Sequence, residues 1–585
     1  MELPPVNALP SDTPTGGGNR RTLLLLIGVG VVALLLIGAG AVALAGQLFG
    51  SRSNSIPQLI AGETQIYAAI TPNLSDLPHI ERLRKAFPEV ADYQNDSDLN
   101  QQLSEKLGVT FKDDIAPWIG TEMAVAVSGI PFEDLMDTQA LADGETPDVT
   151  QSQVIFVLSA RDQKAAQAFL DKQRQHREGQ GEQFTSSQAD GATIYAQQGG
   201  ELSPITAFGL VRNYVVFATS SDLISAIATR DPDGTETLAA NTRFQQVLAA
   251  LSADRIGFVY LNGEPIAKAI TANADQLVAQ IPEATANQFR EQIKSMDALQ
   301  GMGLSISMLA DGLAFDALGV IDQAKLTQAS QDQLKEAANP VSADRVGNVS
   351  ANALSALSFR LPSTFGQQIR ESIDGTPGAA EQVAQMEQEL NLDLDRDLLS
   401  WLQGEVTIVL LPGEEIMGSP APVTGYLALT PNDRAAAEDG MSRIIKAAET
   451  GSGGMFTFSE EQIADVPWQV FSPEGQAIGG YAFVGDDLVI GFGHTALEQA
   501  TKPTGALSTN SDYQTGTKVL PSPNGGLFFV NLPAVVDLVD QQGGLEDLSV
   551  KERLAPFKAI TAGASPGINE KGVSFGRLFL VIAPE

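Results

Sequence analysis

From Leu23 to Gly46 the chain reads LLLLIGVGVVALLLIGAGAVALAG, without one charged residue. As a helix rising 1.5 Å per residue, this run would be about 36 Å long, enough to cross a bilayer core with some tilt. It exceeds the roughly 7–15 apolar residues of a cleaved signal peptide. The pattern therefore predicts an uncleaved signal anchor at 23–46, with the lipid bilayer as its partner. Arg20 and Arg21 precede the run, and only Arg52 follows closely. The positive-inside rule then places residues 1–22, a flexible tail rich in Pro, Thr, Asn and Gly, in the cytoplasm. The bulk of the chain is expected outside it, in the cell membrane as a single-pass protein.

After the anchor, short apolar runs alternate with polar turns. VIFVLSA (154–160) and GYLALT (425–430) read as strands of β-preferring residues. Each is followed by a hydroxyl with an acid three positions on, Ser159 with Asp162 and Thr430 with Asp433, and then by an alanine-rich helix. That spacing predicts a capping box. FGLVRNYVVFA (208–218) and YAFVGDDLVIG (481–491) read as hairpins around the two-residue turns Arg212-Asn213 and Gly485-Asp486. Adjacent strands with short turns favour antiparallel pairing, and strict βαβ alternation is absent. The expected class is α+β, a twisted and mainly antiparallel sheet with packed helices.

The same order is written twice. Leu107–Glu122 aligns with Leu390–Glu405, so that Asp114 meets Asp397, Trp118 meets Trp401 and Glu122 meets Glu405. Two of the three tryptophans of the chain fall at this one place. Later segments match in sequence with a drifting offset: 154–170 with 425–441, 208–218 with 481–491, and 256–262 with 526–532. Two homologous units are expected, 53–335 and 353–585, joined by a polar linker at 336–352 that contains Pro340. A chain of 585 residues is long enough for two cores.

Composition removes whole classes of chemistry. There is no cysteine, so disulfides, thiolate metal sites and cysteine nucleophiles are excluded. His79, His176 and His494 stand far apart, which argues against a histidine-based metal centre. A net charge of -35 repels phosphate backbones, so nucleic acid is not an expected partner. No phosphate loop, nucleophile elbow or zinc-protease helix motif occurs. The acids of NLDLDRDLLSWLQ (391–403) resemble the start of a calcium loop, but Leu398 and Gly404 stand where glycine and glutamate are needed.

An N-terminal span followed by the block Leu107–Glu122, with its P-W-I-G-x-E core and a looser copy at Leu390–Glu405, resembles the DUF3352 family of bacterial proteins. The resemblance covers most of residues 57–585. It implies a membrane-anchored location and no known chemistry. In the looser copy Ser400 replaces the proline and Gln403 the first glycine. The residues themselves suggest structural roles: the tryptophans as plugs between a turn and a strand, Asp114 and Asp397 as turn caps, Glu122 and Glu405 as acceptors at a strand start. No catalytic, cofactor-binding or metal residue is assigned, and no cofactor is expected. The leading expectation is a non-enzymatic binding or scaffold protein of the envelope with a protein partner. The alternatives are a carrier or sensor of an apolar ligand or lipid, and a carboxylate-dependent hydrolase.

Overall fold

The protein is described by a computed structural model at residues 55–70, 108–137, 151–199, 205–279, 293–376, 378–416, 419–451, 457–471, 478–543 and 548–583, with a few single positions between them. The predicted tail 1–22, the predicted anchor 23–46 and His79 lie outside the described residues. Among the described residues, no helix is long and apolar enough to cross a membrane.

The first half of the chain forms β1 (Ile66–Ile70), β2 (Ile119–Ser128), β3 (Gln153–Ala160), β4 (Gln183–Ala189), β5 (Ala192–Gln198), β6 (Ala207–Val211), β7 (Tyr214–Ala218), β8 (Arg255–Asn262), β9 (Leu299–Leu309) and β10 (Gly312–Ile321). The second half forms β11 (Ser355–Leu361), β12 (Gly404–Ile416), β13 (Ser419–Leu429), β14 (Phe458–Ile463), β15 (Val466–Phe471), β16 (Gly479–Val484), β17 (Asp487–Phe492), β18 (Gly526–Asn531), β19 (Phe557–Ala564) and β20 (Val573–Ile582).

Every neighbouring pair is antiparallel. Across the first half the order is β4-β5-β6-β7-β3-β2-β1-β8-β9-β10. Across the second it is β14-β15-β16-β17-β13-β12-β11-β18-β19-β20. β10 pairs with β20, so the halves share one continuous sheet of 20 strands among the described residues. At this seam Asp316 faces Arg577 across the strands. The guanidinium donates from Nε at 2.6 Å and from Nη2 at 2.9 Å to the two carboxylate oxygens of Asp316, which is 2% exposed. Two parallel charge-assisted bonds fix orientation as well as proximity.

Helices that cover the sheet or flank the repeated signature include α1 (Phe132–Met136), α2 (Gln163–Gly179), α3 (Ser221–Thr229), α4 (Thr242–Ala250), α5 (Gly263–Ala272), α6 (Arg434–Gly451), α7 (His494–Thr501), α8 (Ser511–Thr517) and α9 (Leu532–Gln541). Side chains alternate between the faces of a strand, so one face of the sheet takes α3 and α4 in the first half and α7 and α8 in the second. There Ile224, Phe244 and Val247 pack with Tyr67, Val216 and Tyr260. Leu497 and Tyr513 pack with Val409, Val489 and Phe529. The opposite face takes α2 and α6, through Phe169 and Leu170 against Met123 and Val215, and through Met441 against Val406 and Leu488.

Two expectations need correction. Ser159 and Thr430 do not cap the helices that come after them. The Asp162 carboxylate caps α2, accepting from the amides of Lys164 and Ala165, and Asp433 accepts from the Ala436 amide. The strand end holds the hydroxyls instead: Ser159 Oγ accepts from the Glu122 amide, and Thr430 Oγ1 donates to Asp487. The segment 336–352 is also not free of the fold. Val341, Val346 and Val349 are buried in the second core, because apolar positions hidden among its polar ones reach the sheet.

Candidate functional site: the paired tryptophan plugs

Each signature begins in a wide five-residue turn, Phe111–Ile115 and Asp395–Leu399. The turns close through i→i+5 bonds, Ala116 N to Phe111 O and Ser400 N to Asp395 O, both 2.8 Å. This π-type geometry is uncommon. Trp118 and Trp401 are each 1% exposed. Their single polar atoms are satisfied by the turns themselves: Trp118 Nε1 donates to Asp114 O at 2.7 Å, and Trp401 Nε1 to Asp397 O at 2.9 Å. A buried indole that finds its partner four residues back brings its hydrophobic area without an orphaned donor.

The two aspartates tie each turn to its helix. The Asp114 carboxylate accepts from the Thr110 amide at 2.8 Å and from Lys172 Nζ on α2 at 2.6 Å. The Asp397 carboxylate accepts from the Asp393 amide at 2.9 Å and from Arg443 on α6 at 2.9 Å. It also takes a fork of two 2.7 Å bonds from Arg396. Burial pushes the Asp114 carboxyl up, but Lys172 and the Thr110 amide more than offset this, so its pKa lies below the ordinary value. At Asp397 the Arg396 guanidinium is the largest influence. Together with the Asp393 amide and Arg443 it overcomes burial and holds the carboxyl down at about 2.

Glu122 and Glu405 lie on the other face of the sheet, both buried. The Glu122 carboxylate accepts from Ser55 Oγ at 2.9 Å, and that hydroxyl lies 2.5 Å from the Tyr214 hydroxyl. Burial, reinforced by Glu122 and then Tyr214, raises the pKa of Tyr67 well above its ordinary value. Glu405 accepts from the Ser342 amide at 2.9 Å and from Ser358 Oγ at 3.1 Å. Arg345 and Arg360 approach it at 3.7 and 3.6 Å. Arg345 also pairs with Asp487 at 2.8 Å.

These acids do not converge. Within each half the aspartate is tied to α2 or α6 on one face of the sheet, while the glutamate is buried on the other. Paired-carboxylate hydrolysis needs its two acids within about 5–10 Å. The candidate calcium acids are likewise engaged in the fold: Asp393 accepts from the Arg396 amide and Asp395 takes a bidentate bond from Arg370. His494 opens α7, and His176 lies on α2 beside Gln180. Among the described residues, no three His, Cys, Asp or Glu side chains are placed to hold a metal ion. Sequence reasoning missed Lys172 and Arg443. They fall at one equivalent position when 154–170 is set against 425–441 and the match is carried two residues further.

A family model described as "Protein of unknown function (DUF3352)" matches residues 25–582. No curated protein matches. Among solved structures, the chain is similar to "Structure of crystal form I of TP0453", with 11% identity over 50% of this chain and 88% of that one, at a TM-score of 0.21. The corresponding values for crystal form III of TP0453 are 11%, 50%, 89% and 0.22. Neither overlap is deep enough to carry an inference.

Proposed function

Because the chain belongs to the DUF3352 family, whose description assigns no activity, we propose from its architecture that it is a membrane-anchored, extracytoplasmic binding or scaffold protein of the cell envelope, built by internal duplication. The uncharged run 23–46 behind Arg20 and Arg21 supports the anchor and its orientation. The strand order of the second half, equal to that of the first with ten added to each number, supports the duplication, with 336–352 packed into the second unit rather than standing between the two. One observation carries the non-enzymatic reading: the acids of the repeated signature are bound to fixed backbone and side-chain partners of their own half. Each acid is thereby accounted for as part of a turn or a strand end, which favours a binding role over acid–base chemistry.

The test is gentle purification of the full-length protein from its native membrane after light crosslinking, with co-purifying proteins and lipids quantified together. A stoichiometric protein partner is expected. Recovery in the cytosol, or turnover of a substrate that Glu122→Gln and Glu405→Gln abolish without loss of folding, would overturn the reading. A carrier or sensor of an apolar ligand is the second reading, favoured by the uncovered apolar side chains Leu410, Ile490 and Phe492. It predicts a stoichiometric lipid in place of the protein.

A further inference from the structure

Among the described residues the two halves differ clearly at the connection that leaves β2 or β12. In the first half residues 129–152 intervene, and their start folds back over the sheet. Gly129 turns the chain at φ +69, where a Cβ would meet the Gln151 carbonyl at 2.8 Å. The Gln65 side chain then brackets Ile130, accepting from its amide at 2.6 Å and donating to its carbonyl at 3.1 Å. Ile130, Phe132 and Leu135 pack on Val125, Val127 and Val154, so that Val125 and Val127 are 7% and 8% exposed. In the second half only residues 417 and 418 separate β12 from β13.

Strand register identifies the matching positions. Ile66 faces Val127 in the first half, and Ser355 faces Leu410 in the second. Leu410 is 42% exposed there. Ile490 and Phe492 beside it on β17 are 45% and 50% exposed. Ile490, Leu427, Ile408, Leu357 and Phe528 stand side by side across five strands. The adjoining row runs Phe492, Gly425, Leu410, Ser355 and Val530. Neither row contains a charge. A separate element carries the same mark. α5 packs against α1 and buries Gly263, Ala267 and Ala269. The corresponding α9 buries no residue, although it carries Val535, Val536, Leu538 and Val539, the last 39% exposed.

We infer that this face of β12, β13 and β17 is the docking site for a short amphipathic helix of a partner protein, seated through Phe, Leu or Ile side chains as α1 is seated on the first half. The inference deepens the binding reading above and rests on it. The chain itself shows what chemistry covers such a face: an apolar segment ending in a helix, with Glu133 and Asp134 turned to solvent. At the two apolar rows themselves β12, β13 and β17 are each paired on both sides, so an extended peptide has no edge to join there. Over an apolar floor its backbone would go unsatisfied, whereas a helix satisfies its own.

The probe is a synthetic peptide of residues 129–137, GIPFEDLMD, with a photoreactive leucine at the Leu135 position, irradiated with the full-length protein in detergent. Crosslinks on β12, β13 and β17 are expected. Leu410→Ser with Phe492→Ser should reduce them about tenfold, as hot-spot truncation does, with an unchanged melting temperature. Each single variant reads the same loss should the double variant misfold. Crosslinks elsewhere, or crosslinks that the variants do not reduce, overturn the inference. A bound lipid, or a dimer of this chain, that is lost with these variants while the peptide fails to crosslink also overturns it. A partner that still co-purifies but maps to another surface sinks this site and leaves the binding reading intact.

Discussion

Trp118 and Trp401 plug equivalent corners of the sheet, and each is backed by its helix in a different way. Behind Trp118 stands Phe169 of α2, with ring centroids 5.0 Å apart in a tilted contact. Behind Trp401 stands Gly440 of α6, where an added Cβ would collide with the Asp397 carbonyl and come within 2.7 Å of Trp401 Nε1. One plug is filled by a second aromatic ring, the other by bringing the helix backbone close. The electrostatic ties differ in the same sense. Asp114 is held by one ammonium, while Asp397 is held by two guanidiniums. A corner can keep its tryptophan, its wide turn and its aspartate while the neighbours that fill the remaining volume are exchanged. The constant parts are therefore those that satisfy the indole N–H and the turn amides.

The largest effects should come from removing a plug or the seam. Trp118→Ala and Trp401→Ala should each cost about 3–5 kcal/mol, read by denaturant unfolding. Asp316→Ala strips the half-buried Arg577 of its carboxylate, leaving it the Val519 carbonyl, and should cost about 3 kcal/mol. It should loosen β10 and β20 together, whereas the tryptophan variants should not. Gly440→Ala tests the contrast between the plugs directly. It should cost about 1–3 kcal/mol through overpacking, while Phe169→Leu should cost about 1 kcal/mol because its corner can repack. A neutral Gly440→Ala would mean the helix is free to withdraw.

The acid limb of stability separates the aspartates further. A carboxyl whose folded pKa is depressed stabilises the fold where it is ionised. For Asp397, at about 2 against an ordinary 3.8, that contribution is full above about pH 5 and disappears as pH falls through about 2. Melting curves of the parent and Asp397→Asn should therefore differ at pH 6 and converge near pH 2. Asp114→Asn should show the same direction. The smallest effect is expected from Lys172→Met, about 0–1 kcal/mol, because that ammonium is 49% exposed.

Much of this fold was legible because it rests on local signals. The turns Arg212-Asn213 and Gly485-Asp486 lie where the hairpins β6–β7 and β16–β17 turn, and both tryptophans are buried as a residue of that size predicts. The seam was not legible. Asp316 and Arg577 lie 261 residues apart, and nothing short-range marks either as the other's partner. The capping residues were misplaced by three positions, since hydroxyl and acid spacing alone does not reveal which of them has left the strand. Asn241 and Asn510, which cap α4 and α8 through their side-chain oxygens, went unassigned although each is followed by the helix it starts. The uncovered face of the second half was also hidden, because it arises from the short link between β12 and β13 rather than from any apolar run.

The claim that the signature builds two structural corners is tested most directly by residue-resolved hydrogen exchange on Trp118→Ala and Trp401→Ala in the full-length protein. Faster exchange should be confined to β2, β3 and α2 in the first variant, and to β12, β13 and α6 in the second. Unchanged protection in both, together with loss of partner binding, would contradict the account and make the tryptophans part of a recognition site.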